Sequence, residues 1–134
     1  MHRLQNLQIV EDLFRALSKH DFAELTKHVS KNCDHWAVQD GASLPWSGHF
    51  EGPGGMRGFF EFWDQTLEQA LMPEDILVEG DKVVVTGRSK NRVKANGAEV
   101  DQAWVMLFTI RAGEIVACQY FDDSAKWMPA LKAG

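Results

Sequence analysis

The spacing of apolar residues changes about halfway along the chain. In the first half, apolar positions recur every three or four residues, which is the period of one face of an α-helix. From about residue 74 onward, apolar and polar residues alternate or run in β-branched stretches, which is typical of strands. The pattern therefore predicts an α+β domain with helices first and a sheet second.

Helical spacing predicts three helices in the first half of the chain. The first spans residues 3–19, and a short second helix begins after Asp21, whose side chain can cap it. A third helix starts near Pro53 or Gly54 and continues until Pro73 ends it. The apolar positions of this third helix are Met56, Phe59, Phe60, Trp63, Leu67 and Leu71.

The remaining segments predict a short strand, a loop and a meander of four longer strands. Residues 34–38 form the short strand, and residues 39–55 form a loop rich in Gly, Pro and Ser. The longer strands are expected at residues 75–79, 82–94, 98–111 and 114–122. Each short connection between them contains a glycine, which suits hairpins and predicts an antiparallel sheet. Ser124 is expected to cap a last helical turn that ends near residue 131.

One predicted strand is apolar on both of its faces. In the strand at residues 98–111, Trp104 and Met106 face one way, whereas Val105 and Leu107 face the other. A sheet that is covered by helices on one side needs only one apolar face. We therefore expect a homodimer through the outer face of the sheet, unless the last helical turn covers that face instead.

Composition narrows the class of protein. The 134 residues suit one domain spanning residues 1–134, and 45% hydrophobic with 25% charged residues is a globular balance. The net charge of −5 argues against a nucleic-acid-binding protein, and no apolar run is long enough to cross a membrane. The N-terminal segment lacks the apolar block of a signal peptide, so we expect a cytoplasmic protein.

Three stretches of the sequence resemble one superfamily. Residues 44–60, LPWSGHFEGPGGMRGFF, resemble the loop and third helix of SnoaL-like proteins. Residues 78–88, VEGDKVVVTGR, resemble their first hairpin, and residues 113–125, which end in FDDSA, resemble their last strand. Over residues 6–131 the chain is thus similar to the nuclear transport factor 2-like superfamily, which includes ketosteroid isomerases and SnoaL-type polyketide cyclases. The resemblance implies a cone-shaped α+β fold, in which N-terminal helices pack on a strongly curved antiparallel sheet and enclose a cavity.

The resemblance does not extend to the catalytic triad of ketosteroid isomerases. Those enzymes place a tyrosine on the first helix, a carboxylate base on the first strand and a protonated acid on a long strand. All the matching positions here are apolar. They are Leu13 or Phe14, Ala37 or Val38, and Trp104 or Met106. Isomerisation by that triad is therefore not expected, although Asp40 remains as a shifted alternative for the base.

SnoaL-type cyclases carry a catalytic aspartate at the end of the last strand. The resemblance assigns that position to Asp123, with Asp122 as the alternative, and strand alternation lets only one of them face the cavity. Burial among aromatic side chains disfavours the charged carboxylate, which suits a general acid–base. In the competing interpretation, Asp123 only caps the last helical turn. His49 is expected at the cavity mouth, either sharing a proton with Asp123 or as an exposed loop residue.

Aromatic and apolar side chains are expected to line the cavity and contact a ligand. This set consists of Phe14, Trp36, Trp46, Phe59, Trp63, Trp104, Met106 and Phe121. No metal or other cofactor is expected, because the histidines form no HxH or HxxxH pair and two cysteines are too few for a cysteine site. Two functions remain open. One is a cofactor-free acid–base enzyme of the isomerase, cyclase or dehydratase type, acting on a small apolar or aromatic molecule. The other is a non-catalytic ligand-binding or protein-interaction module.

Overall fold

The computed structural model describes residues 2–37 and 48–132, in which helices and strands form an α+β domain. The helices are α1 (His2–Ser18), α2 (Phe22–Leu25), α3 (Gly52–Thr66) and α4 (Ser124–Lys132). The strands are β1 (Val29–Ala37), β2 (Gly48–Glu51), β3 (Leu67–Glu79), β4 (Lys82–Val93), β5 (Glu99–Arg111) and β6 (Glu114–Asp122). The predicted fold class, with helices near the N-terminus and a long meander after them, is confirmed.

The described strands form one sheet in the order β2-β1-β6-β5-β4-β3. Strands β3 to β6 are an antiparallel meander, as the sequence predicted, and β2 is antiparallel to β1. Strand β1 differs from the prediction, because it lies parallel to β6 with His35 opposite Cys118. Parallel neighbours need a long crossover rather than a hairpin, and here most of the chain separates the two strands.

The third helix ends at Thr66, earlier than the predicted stop at Pro73. Leu67 and Leu71 are four residues apart, so they fit the helical period and the alternation of a strand equally well. The structure places both in β3, where they contribute to the core or pack against it. Pro73 is tolerated inside β3 because this strand lies at the edge of the sheet, and the register shifts just after it.

Helix α1 ends in a Schellman motif. The Asp21 N–H donates to the carbonyl oxygen of Ala16 at 3.0 Å, and the His20 N–H donates to that of Leu17 at 3.1 Å. His20 has a φ of 56°, a left-handed conformation that costs an ordinary residue on the order of 1 kcal/mol. Asp21 then caps α2, as predicted, by accepting a hydrogen bond from the Glu24 N–H at 3.1 Å.

The core lies between the helices and the inner face of the sheet, and aromatic side chains fill much of it. The largest fully buried aromatic residues are Trp63, Trp104, Trp127, Tyr120, Phe59, Phe60 and Phe108. Full burial of one large apolar side chain stabilises a fold by about 1.5–3 kcal/mol. Gly87 makes room for one of these rings, since a Cβ atom at this position would lie 2.7 Å from Cζ2 of Trp104.

Candidate functional site

The Asp122 carboxylate points into the protein interior and joins three elements. Its Oδ2 atom accepts hydrogen bonds from the Tyr120 hydroxyl at 2.7 Å, from Trp127 Nε1 at 2.9 Å and from Gln102 Nε2 at 3.0 Å. The donors belong to β6, α4 and β5, so the carboxylate ties the last helix to the sheet. Burial, followed by the nearby Asp122 charge, raises the pKa of Tyr120 well above its usual range, so the phenol stays protonated and donates.

The structure therefore turns Asp122 inward rather than Asp123, which the resemblance had favoured. Asp122 lies opposite Trp104 in the β5–β6 pairing and shares its inner face. Asp123 follows the end of β6 and is exposed, while its backbone carbonyl accepts a hydrogen bond from the Lys126 N–H at 3.1 Å. The other Asp122 oxygen, Oδ1, is buried and has no hydrogen-bond partner within the described ranges.

Trp36 was predicted to line the cavity, but it lies on the outer face of β1. The Trp36 side chain is 44% exposed on the outer face, whereas His35 is fully buried. The alternation explains this choice, because Cys33 and Ala37 share the inner row with His35, and the polar Asp34 shares the outer row with Trp36. The same alternation is visible in the sequence, where Cys33, His35 and Ala37 share one face and Asp34 and Trp36 share the other.

His49 lies on the outer face of the sheet, away from Asp122. It sits opposite Trp36 in the β1–β2 pairing, and the two rings stack with centroids 4.4 Å apart. Its Nε2 atom is 3.0 Å from Oδ1 of Asp34, and both side chains are exposed. The structure therefore does not bring His49 together with the inward-facing aspartate.

His35 is buried without a hydrogen-bond partner on either ring nitrogen, as far as the described ranges show. Its ring centroid lies 4.4 Å from that of Phe59, and Phe50 and Phe60 complete an aromatic surround. Burial, with a smaller contribution from the charge of His49, lowers the pKa of His35 to about 4. The imidazole is therefore neutral at physiological pH, and its two polar atoms carry an uncompensated desolvation cost.

An apolar cavity of about 380 Å³ lies between α1, α2, α3 and the first half of β3. Its apolar lining consists of Phe14, Leu17, Phe22, Phe60, Trp63, Leu67, Ala70, Leu71 and Pro73. The wall is supported from behind, since the Phe14 ring stacks on that of Trp104 with centroids 5.6 Å apart. The remaining lining residues are polar, namely Ser18, His20, Asp64 and Gln69.

Two of these polar residues lie close together at the solvent-exposed side of the cavity. His20 Nδ1 lies 2.7 Å from Oδ1 of Asp64, and both side chains are partly open to solvent. His20 lies two residues after the end of α1, whereas Asp64 lies on α3, four residues beyond the buried Phe60. No local spacing in the sequence links residues 20 and 64, so sequence reasoning missed the pair.

The structure separates the side chains that were predicted to contact a ligand. Phe14 and Trp63 line the cavity. The others lie elsewhere: Phe59, Trp104 and Met106 are buried in the core, Trp36 and Phe121 are exposed, and Trp46 is outside the described residues. Asp40, the shifted alternative for a base, is also outside the described residues.

Two further depressions are lined mainly by polar residues or glycine. One lies beside the hairpin turns near residues 80 and 113, and the other lies on the charged surface of β3, β4 and β5. Among residues 2–37 and 48–132, no group of three or more His, Cys, Asp or Glu side chains is placed to hold a metal ion. In the same ranges, no helix has the length and apolar character needed to cross a membrane.

The comparisons with known proteins define the family. The profile of the SnoaL-like domain matches residues 10–118, so the chain belongs to the SnoaL-like domain family. No curated protein matches the chain.

Solved structures share the fold across nearly the whole chain. A nuclear transport factor 2-like protein of Burkholderia xenovorans LB400 is 22% identical, covers 97% of this chain with 98% of its own, and has a TM-score of 0.86. A protein described as a SnoaL-like polyketide cyclase, from Jannaschia sp. CCS1, is 23% identical. The match covers 98% of this chain and 94% of that protein, with a TM-score of 0.80. TerC, co-crystallised with polyporic acid, is 16% identical. The match covers 96% of this chain and 99% of TerC, with a TM-score of 0.86. These likenesses confirm the nuclear transport factor 2-like fold.

The two neighbouring aspartates are expected to differ sharply in their contribution to stability. Asp122→Ala should lower the free energy of unfolding by about 3 kcal/mol, because three buried donors lose their acceptor. Asp123→Ala is the matched control and should change it by less than about 0.5 kcal/mol. Urea unfolding followed by tryptophan fluorescence measures both values. Equal effects of the two substitutions would contradict the inward placement of Asp122.

His35 is expected to make the fold less stable in mild acid. Its folded pKa of about 4 lies below the ordinary histidine value of about 6.5, so as pH falls the unfolded chain binds the proton first. The full contribution of neutral His35 is present above about pH 6.5, and about 3 kcal/mol is lost by about pH 4.

The substitution His35→Phe should remove this part of the pH dependence, whereas the control His49→Gln should keep it. Urea unfolding at about pH 7 and about pH 4.5 compares the variants. If His35→Phe lost stability between these values as steeply as the wild type, the neutral state of buried His35 would not be the cause.

Proposed function

We propose that this SnoaL-like protein binds a small, mostly apolar molecule in the cavity between α1, α2, α3 and β3. The observation that carries this proposal is the cavity itself, with its volume of about 380 Å³ and its largely apolar wall. Small-molecule sites typically have roughly 300–1,000 Å³, apolar linings and a few polar groups that orient the ligand. Ser18, His20, Asp64 and Gln69 provide such polar groups here.

Relatives with the same fold support a small-molecule ligand. TerC was co-crystallised with polyporic acid, and the protein of Jannaschia sp. CCS1 is described as a SnoaL-like polyketide cyclase. The proposal requires no reaction at the end of the last strand. Oδ2 of Asp122 accepts from Tyr120, Gln102 and Trp127, and Asp122 does not line the cavity. Binding without catalysis at Asp122 or Asp123 is therefore the function that the geometry supports best.

Filling the cavity is expected to weaken ligand binding. Leu71 faces the cavity from β3, so Leu71→Trp should weaken the binding of 2-naphthol, a flat and mostly apolar probe, by at least about tenfold. Met72 is the next residue and faces the other side of the strand, so Met72→Trp is the matched control. Isothermal titration calorimetry measures the dissociation constants. Undetectable binding to the wild type, or equal binding to both variants, would refute the cavity as the binding site.

We also propose that the protein is a homodimer through the outer face of the sheet. Val105 and Leu107 lie on that face of β5, and Phe121 lies opposite Val105 and is 37% exposed. The exposed Trp36 ring adds to the same face, next to β6. Contiguous apolar surface of this kind is typical of protein–protein contacts.

Sedimentation equilibrium tests this assembly. The wild type should have the mass of a dimer, and Leu107→Lys should shift it to the monomer mass, because a charge on the outer face opposes burial there. Leu4→Lys is the control, since Leu4 is 75% exposed on α1 and should leave the dimer intact. A wild-type protein that sediments as a monomer would remove the dimer proposal without affecting the ligand site.

A further inference from the structure

One polar residue occupies an inward position of helix α1. The buried face of α1 repeats every three or four residues through Ile9, Val10 and Leu13, and the same spacing reaches back to Asn6. Asn6 is only 4% exposed, and its side-chain amide forms no hydrogen bond with any described residue. A buried amide without a partner costs stability, so an asparagine on the core face of a helix calls for a specific reason.

Asn6 lines a depression at one end of the sheet, which we call the hairpin depression. Its volume is about 600 Å³, and its walls are the start of α1 and the turns that join β3 to β4 and β5 to β6. The nitrogen and the oxygen of the Asn6 amide lack partners among the described residues, yet neither atom is sealed from solvent. The amide is therefore reached through the hairpin depression.

The wall of the hairpin depression is held in place by the fold itself. The Ile110 N–H donates to the carbonyl oxygen of Asp81 at 2.8 Å, and Arg111 Nε donates to Oδ2 of Asp81 at 2.9 Å. These two hydrogen bonds tie one turn to the other. Gly80 and Gly113 lie at the two turns and put no side chain into the space between them. A site that is already formed loses little conformational freedom when a ligand binds.

The charges around the hairpin depression cancel. Two arginines, Arg3 and Arg111, line it together with two acids, Glu79 and Asp81. Asp81 is paired with Arg111, and the two remaining charged residues, Arg3 and Glu79, are exposed and have opposite signs. Neither an anion nor a cation finds an excess of opposite charge here, so a neutral ligand is the better match.

We propose that the hairpin depression is a second binding site, for a small neutral molecule that carries an amide group on an apolar body. Val78 and Ile110 provide apolar surface for the body of the ligand. The side-chain amide of Asn6 has both a donor and an acceptor, and a ligand amide offers the complementary acceptor and donor. Two hydrogen bonds with such a ligand satisfy both ends of the amide that the described part of the protein leaves unpaired.

The hairpin depression is separate from the cavity between α1, α2, α3 and β3. Asn6 and Leu17 line the two sites from opposite ends of α1, and 17 − 6 = 11 helical positions correspond to roughly 16 Å. None of the described residues lines both sites. Ligands can therefore occupy them independently, and the second site does not depend on the function proposed for the first.

Benzamide tests the site, because it joins a primary amide to an apolar ring. We expect a titration into isotope-labelled protein, followed by proton–nitrogen correlation NMR, to shift the side-chain amide of Asn6 and the backbone amides of Gly80 and Gly113 with saturation. A ligand of this size should bind with a Kd on the order of 1 mM. Benzoate has the same shape but its carboxylate only accepts hydrogen bonds, so it should bind at least about tenfold more weakly.

Variants of Asn6 separate ligand binding from folding. Asn6→Ala removes both hydrogen-bonding groups and should raise the Kd of benzamide by at least about tenfold. Its melting temperature should stay the same or rise, because no hydrogen bond of the described fold is lost and alanine is the better helix former. Asn6→Leu fills the space with an apolar side chain and should weaken binding equally. Asn32→Ala is the matched control, since Asn32 is exposed on β1 and lines none of the described cavities.

The inference is overturned if benzamide causes no saturable shifts, if its shifts are confined to the cavity residues Phe22 and Leu71, or if benzoate binds as tightly. It is also overturned if Asn6→Ala keeps the Kd of the wild type. A clear fall in the melting temperature of both Asn6 variants would assign the amide to the fold and would likewise contradict a ligand site. Weaker binding to both variants, with unchanged melting temperatures and an unchanged Asn32→Ala control, supports the site.

Discussion

The hydrogen bonds that converge on Oδ2 of Asp122 hold the last helix of the protein on the sheet. Side chains of β5, β6 and α4 all donate a hydrogen bond to this one oxygen atom. The Trp127 indole is fully buried, and it donates to the same oxygen as the buried Tyr120 hydroxyl. A carboxylate at the end of the last strand thus serves the packing of this domain, and the apolar cavity lies instead between the helices and β3.

Much of the fold was predictable from local patterns. The alternation of apolar and polar residues predicted β4 at residues 82–94, and the structure has it at Lys82–Val93. The last strand has the bounds that were predicted. The end of α3 was not predictable, because Leu67 and Leu71 satisfy two periods at once, and only pairing with β4 decides between them. The parallel pairing of β1 with β6 was also beyond local patterns, since it depends on contacts across the whole chain.

The candidate site was less predictable than the fold. Phe14 and Trp63 were predictable, because they belong to the apolar faces of α1 and α3, and the wall of the cavity continues the core that these faces form. His20 and Asp64 meet only through the tertiary packing of helices that are far apart in sequence. The choice between Asp122 and Asp123 depends on which residue of β6 pairs with Trp104. A shift of one residue in this register would turn the other aspartate inward.

The parallel pairing of β1 with β6 also bears on how the chain folds. His35 and Cys118 are paired although 118 − 35 = 83 positions separate them, whereas the hairpins of the meander close over a few residues. Long loops cost more entropy to close, and pairings that are distant in sequence slow folding. The meander can therefore assemble from local contacts, while β1 and β2 join only after β6 offers them an edge. Until then, the edge of β1 that pairs with β6 stays unpaired, and an unpaired strand edge is prone to aggregation.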